Sequence, residues 1–326
     1  MTKLSISAVE RDTGLPKDTL RVWERRYGFP CPERDSSGER LYPIDQVERL
    51  RVIRRLVDLG HRPGKVVGLP VEALRKLASS AIPGSGQGAH AVVMAAAFAA
   101  PKAAAAVAGL EAGQDPDEAD FGRLLAVLKG LKVDELRQAL AQAAWRIGLE
   151  RFVTRLCAPL TRRVGEAWAC GEIEIYEEHL YTEAVQGVLR SAVAGLAAPA
   201  GGPRVLLATF PLEVHGLGLL MVEALLALEG CRCTSLGTQT PVVDIARAAI
   251  AQPVDIVALS FSPCLPGGQV TGGLAQLRAL LPQTMEIWAG GSSAALRRRA
   301  PEGIVVLDDL AGIRGQLEAW RGSRRG

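Results

Sequence analysis

From Arg204 onward the chain alternates five times between a short apolar run and a longer helix-type run, and this most constrains the fold. The short runs are "RVLLATF", "CRCTSLG", "DIVALSFS", "MEIWAGG" and "GIVVLDD". Contiguous apolar stretches of this length, bounded by Gly, Pro or Asp, fit strands buried on both faces. A helix between each pair of strands makes every connection a crossover, which requires parallel pairing. The pattern predicts a doubly wound, five-stranded parallel sheet of Rossmann-like type over residues 201–326.

Two other regions precede it. From 117 to 200 apolar residues recur at helical spacing, in "FGRLLAVLKGLKVDELRQALAQAAWRIGLERFVTRLCAPLTRRVGEAW" and "EEHLYTEAVQGVLRSAVAGLA", which predicts a four-helix bundle. Residues 81–116 are rich in Ala, Gly and Pro and read as a linker. Residues 1–80 read as short helices, "SISAVERDTG", "PKDTLRVWERRYG", "PIDQVERLRVIRRLVDLG" and "PVEALRKLASS". The expected architecture is therefore multidomain, α and α/β. Hydrophobic residues make up 48% and charged residues 22%, so wholesale disorder is excluded.

The first eighty residues hold 16 lysines and arginines against 11 acidic residues, although the whole chain carries only +3. A basic head on a slightly acidic body suits a nucleic-acid module joined to something else. A turn at Gly14–Pro16 between two short helices makes a helix-turn-helix, and Lys17, Arg21 and Arg25 share one face of its second helix. Val22 falls off that face, and the pattern sends it inward together with part of Trp23. "CPERDSSGERLY" then reads as a β-hairpin wing, with Arg34 and Arg40 flanking its Gly/Ser tip.

Residues 5–53 resemble the MerR family of transcription regulators, in the helix-turn-helix, "RVWERRYG", the "RLY" wing end and the helix beginning "PIDQVERL". The resemblance implies double-stranded operator DNA as partner. It makes Lys17, Thr19, Arg21, Arg25, Tyr27, Arg40 and Tyr42 the DNA-contact candidates. The six cysteines form no CxxC pair and no zinc-type spacing, so they are expected to be reduced thiols. The effector is to be sought in the bundle and sheet.

In "FPLEVHGLGLL" a histidine stands just past the first strand of the sheet, where ligands bind in open parallel folds. Glu213, two residues before His215, can accept one imidazole N–H and leave the other nitrogen for a metal. Gly216 and Gly218 remove side chains where a bulky planar group would approach the backbone. Small and hydroxyl residues end the other strands: Gly237 in "SLGTQTP", Ser260 and Ser262 in "SFSPC", Gly290 and Gly291 in "AGGSS". No GxGxxG or GxxxxGK[ST] phosphate loop is present.

These residues resemble the cobalamin-binding domain of methionine synthase, the mutases and the corrinoid proteins, whose motif is D-x-H-x-x-G, then S-x-L and a later GG. Here it reads Glu213-x-His215-x-x-Gly218, Ser260-x-Ser262 and Gly290–Gly291, with Glu for Asp and Ser262 for Leu. The resemblance implies that His215 ligates cobalt and that the cofactor's nucleotide tail runs near Ser260 and Gly290. In "EAWACGEIEIYEEHLYTEAV", Trp168 followed by Glu178 and His179 resembles the cap of the light-responsive, cobalamin-dependent repressors of CarH type. That resemblance implies adenosylcobalamin as cofactor and repression of transcription. It also implies a homo-oligomer, a dimer or tetramer, whose DNA binding responds to cofactor and to light. It departs at Ala169, where the CarH type has histidine as the upper cobalt ligand in the light.

No catalytic residue or nucleophile–base pair is evident, so the expectation is a regulator without turnover. The rivals are a corrinoid methyl carrier of a methyltransferase system and a MerR-type regulator with another effector. With no long apolar run and no leader-type start, the chain is read as cytoplasmic, without a membrane partner.

Overall fold

The computed structural model describes residues 3–35, 38–58, 61–80, 115–196, 202–299 and 301–324. Most of the expected linker, 81–114, lies outside them. Contacts divide the chain into two units. The first takes the N-terminal region and Gly165–Glu174; the second takes the remaining described residues.

In the first unit, helices Ile6–Thr13 and Lys17–Tyr27 form the helix-turn-helix. Each ends on a glycine in the left-handed region, Gly14 at φ 67° and Gly28 at φ 68°, whose N–H closes the last turn onto Glu10 and Glu24. Strands β1 (Lys3–Ser5), β2 (Glu33–Arg34) and β3 (Arg40–Pro43) make an antiparallel sheet in the order β1-β3-β2. The β2–β3 pair is the expected wing, with Arg34 opposite Arg40. Helices Ile44–Asp58, Pro63–Val66 and Val71–Ser80 complete the unit. Its core holds Leu20, Trp23, Tyr42, Leu50 and Ile53, and Ala169 packs into it.

The second unit begins with helices Glu118–Lys129 and Val133–Ile147. A third helical run passes from Leu149–Arg151 through a π-helical turn, Phe152–Cys157, into Ala158–Cys170, whose residues from Gly165 on belong to the first unit. The fourth helix is Ile175–Ala194. At the π turn the Cys157 carbonyl accepts the Thr161 hydroxyl at 2.8 Å, and the Tyr181 hydroxyl lies 2.7 Å from that of Thr161, which ties the fourth helix to the third. Burial pushes the Tyr181 phenol well above its ordinary pKa.

The five expected strands are β4 (Arg204–Ala208), β5 (Arg232–Ser235), β6 (Ile256–Phe261), β7 (Glu286–Gly291) and β8 (Val305–Leu307). They are all parallel, in the order β5-β4-β6-β7-β8. Chain order reverses at β4, because β5 lies on one side of it and β6 on the other. The loops that leave β4 and β6 therefore border a crevice, the place where this architecture admits ligands. Leu206, Phe210, Leu259, Phe261 and Leu274 are among the residues of the core on one sheet face. Helix Leu217–Leu228 follows β4; its neighbour Glu229 accepts Arg314 Nε at 2.6 Å, while Arg314 also reaches Glu150 at 3.0 Å. Among the described residues no helix is long and apolar enough to cross a membrane.

Candidate functional site

The crevice is organised by a buried carboxylate. Glu213 is 1% exposed, and one of its oxygens accepts both the backbone N–H of His215 at 3.1 Å and the imidazole Nδ1 at 2.7 Å. The other oxygen accepts the backbone N–H of Ser262 at 2.8 Å. Burial alone would raise the carboxyl's pKa, but the hydrogen bonds from His215 and Ser262 outweigh it and hold Glu213 below its ordinary range. An ionised Glu213 is an acceptor only, so Nδ1 donates in that bond, and in a neutral imidazole the lone pair then lies on Nε2. The ring is half exposed, with 54% of the side chain accessible.

The loop that carries this pair is held by Thr209, which the sequence reading missed. Its fully buried hydroxyl donates to the Glu213 carbonyl at 2.8 Å and accepts the Gln239 N–H at 2.9 Å. Its backbone N–H donates to the Gly237 carbonyl at 3.1 Å, which links the β4 loop to the β5 loop. A polar residue at the inner end of the run "RVLLATF" was the available signal. Leu212 adopts φ 70°, a left-handed conformation costly for a branched side chain, and it brings Glu213 inward while Leu212 and Val214 stay exposed.

Gly218 meets Ser260: a Cβ on Gly218 would stand 2.7 Å from Ser260 Oγ. Space freed by that glycine thus adjoins the serine. Ser260 pairs with Gly290, and Phe261 with Gly291, in the β6–β7 register. A Cβ on Gly291, at φ 112°, would overlap the Phe261 carbonyl. Ser262 contributes its backbone N–H to Glu213, while its Oγ accepts the Cys264 N–H at 3.2 Å. The structure therefore brings Glu213, His215, Gly218, Gly237, Ser260, Ser262, Gly290 and Gly291 to one sheet edge.

This donor set fits a metal that takes one neutral imidazole. Among the described residues no group of three or more His, Cys, Asp or Glu side chains is placed to hold a bare ion. A metal whose other positions are filled by its own macrocycle suits such an edge.

The cap candidates are placed separately. His179 is exposed and its Nδ1 lies 2.8 Å from Glu178, which also accepts the Thr182 hydroxyl at 2.8 Å. Trp168 belongs to the first unit, where Arg55 stands 5.4 Å over its ring; its indole N–H is buried with no hydrogen-bond partner.

On helix Lys17–Tyr27 Arg21 and Arg25 are exposed, Arg21 pairing with Asp18 at 3.1 Å. Lys17 lies 3.7 Å from Glu10, Thr19 and Tyr27 are half-buried, and the Arg40 guanidinium pairs with Glu24 at 2.9 Å, which fastens the wing to the helix. Tyr42 differs from its expected place on the DNA face: it is fully buried on β3, its hydroxyl without a partner. Val22 also differs, being 40% exposed, whereas Trp23 takes the inward position. None of the six cysteines is joined in a disulfide.

Comparison with known proteins matches this geometry. Residues 4–75 match the MerR HTH family regulatory protein model, and 121–191 and 203–307 match two B12 binding domain models. The HTH-type transcriptional repressor CarH of Myxococcus xanthus is 30% identical over 297 residues, which cover 90% of this chain and 90% of CarH. The chain belongs to the CarH family. Its relative CarA, an HTH-type transcriptional repressor of the same organism, is 29% identical over 262 residues, 79% of this chain and 76% of CarA. The monomethylamine corrinoid protein of Methanosarcina barkeri shares the fold at TM-score 0.50 and 15% identity, over 60% of this chain and 96% of that one. As a CarH-family member the chain is a cobalamin-binding, DNA-binding transcription regulator.

Proposed function

We propose that the chain is a repressor that binds adenosylcobalamin with His215 as lower cobalt ligand, and that cofactor-dependent self-association brings its heads together on operator DNA. Residues 1–80 act as the DNA-binding head, 117–200 as the cap and 201–326 as the base of the cofactor site. The observation that carries this reading is the 2.7 Å contact between His215 Nδ1 and the buried Glu213 carboxylate at the switch point of the sheet. A fixed tautomer presents Nε2 as a ligand without a reorganisation cost on binding. When bound, the cofactor supplies a cobalt centre with a light-labile cobalt–carbon bond.

The CarH resemblance adds Trp168, Glu178 and His179 as contacts on the upper side of the cofactor. Two heads held in one assembly engage one operator at an effective concentration of about millimolar, so assembly sharpens DNA binding without a new base contact. The chain acts through this equilibrium and not through turnover.

The test is the absorption spectrum of protein reconstituted with adenosylcobalamin in the dark. Wild type should show cobalamin with a histidine nitrogen below the metal. His215→Ala should lose the cofactor or hold it with the cofactor's own base on cobalt. An unchanged spectrum and affinity in His215→Ala would overturn the assignment.

A further inference from the structure

We infer that Val22 is a specificity-determining residue of the head, reading the C5-methyl group of a thymine in the major groove. The inference rests on the DNA-binding reading of residues 1–80. In helix Lys17–Tyr27, Leu20 and Trp23 are buried while Val22 is 40% exposed. At about 100° per residue, Val22 lies beside Asp18 and Arg25 on the side of the helix opposite Leu20 and Trp23. Its exposed neighbours on that side, Asp18, Arg21, Arg25 and Arg26, are charged, while Thr19, half-buried, borders it toward Trp23.

An exposed isopropyl group among charges gains nothing in the free chain. β-branching lowers helix propensity slightly, and with 40% of the residue left exposed the side chain recovers only part of the gain of full burial. Its surroundings match one occupant. Arg21, Arg25 and Arg26 surround it with positive charge, which draws a phosphate backbone and aims the helix at a groove. Guanidinium groups there can read guanine or phosphate, but they cannot read the feature that marks thymine, a methyl group on the groove floor. Val22 is the exposed apolar side chain on this face that can do so, Thr19 being half-buried. Its stiff χ1 keeps the contact from costing much rotamer freedom.

The experiment starts from duplexes enriched from a random pool by the full chain, loaded with adenosylcobalamin in the dark. In the enriched duplex each thymine is replaced in turn by deoxyuridine, which removes only the methyl group. For wild type, one position in each half-site should lose affinity about fourfold, as expected for one methyl-sized group no longer buried. Val22→Ala should weaken the parent duplex to a similar degree and bind the thymine and deoxyuridine duplexes equally. Far-UV circular dichroism should stay at wild type and the melting temperature within a few degrees of it, because Val22 lies outside the core and alanine is the better helix former.

If the deoxyuridine penalty survives unchanged in Val22→Ala, or no position shows one, the inference fails. If Val22→Ala instead alters oligomer size and leaves the penalty intact, the valine faces a second copy and the inference is again wrong. If the pool yields no enriched duplex, the DNA-binding reading itself falls, an outcome distinct from the others.

Discussion

Glu213 and Ser262 are 49 residues apart in the chain, yet the Ser262 backbone N–H donates to the Glu213 carboxylate at 2.8 Å and so joins the first and third strand ends of the sheet. The same carboxylate orients His215, so one ionised group both fixes a loop and sets a tautomer.

Glu213→Gln should therefore weaken cobalamin affinity by about 10- to 100-fold, as loss of a group that orients a ligand does. The pH dependence follows from the lowered pKa of Glu213 in the fold. Its contribution to stability is fully present above the ordinary carboxylate range and is lost as pH falls through the folded-state value. Denaturant titrations between about pH 6 and pH 3 should show wild type losing its advantage over Glu213→Gln toward acid. A constant difference across that range would contradict the role.

Thr209→Val keeps the shape of the side chain and removes a hydroxyl that bonds both the Glu213 carbonyl and the Gln239 N–H. Leaving two buried backbone groups with one partner fewer should cost about 1–3 kcal/mol. The melting temperature should fall and cobalamin uptake should weaken, while Thr209→Ser should restore both. Uptake at the wild-type level in a destabilised Thr209→Val would show that the hydroxyl holds the fold but not the site.

Arg25→Ala should reduce operator affinity by about 1–3 kcal/mol if the guanidinium reaches a base, and flatten the salt dependence if it reaches phosphate. Arg21→Ala should cost less, because Arg21 must first leave Asp18 at 3.1 Å. Gel shifts over a salt series separate the two effects. An Arg21/Arg25 double variant that binds like wild type would remove this helix from the interface.

The five strands of the sheet were legible because burial on both faces leaves contiguous apolar runs, and the strand ends placed His215 and Ser260 correctly. What the sequence hid was set by partners. Strand β1 is three residues long, too short to show alternation, and exists because β3 lies beside it. The π turn at Phe152–Cys157 leaves no mark in a periodicity near 3.6. Val22 was misplaced because spacing from the basic residues does not say which neighbour fills the core, and Trp23 won that position. Tyr42 read as a wing-end contact, but on β3 alternate residues face opposite ways and its turn falls inward.

Light is where this chain should part from the CarH pattern. Position 169, histidine in the CarH type, is here an alanine that has no ligating atom and is fully buried in the core of the first unit. The chain has four histidines. His215 is the proposed lower ligand, His61 lies in the N-terminal region and His90 outside the described residues, which leaves His179 on the exposed start of helix Ile175–Ala194. After illumination of the holoprotein the spectrum should therefore show one histidine nitrogen on cobalt with water opposite it, or a second nitrogen that disappears in His179→Ala. A light state without a locked second ligand should also be less stable, so cofactor loss after illumination should be faster than in the dark. Spectra and oligomer size recorded before and after light, for wild type and His179→Ala, decide the matter. A bis-histidine spectrum that persists in His179→Ala would contradict the argument, since a second imidazole would then have to come from His61 or His90.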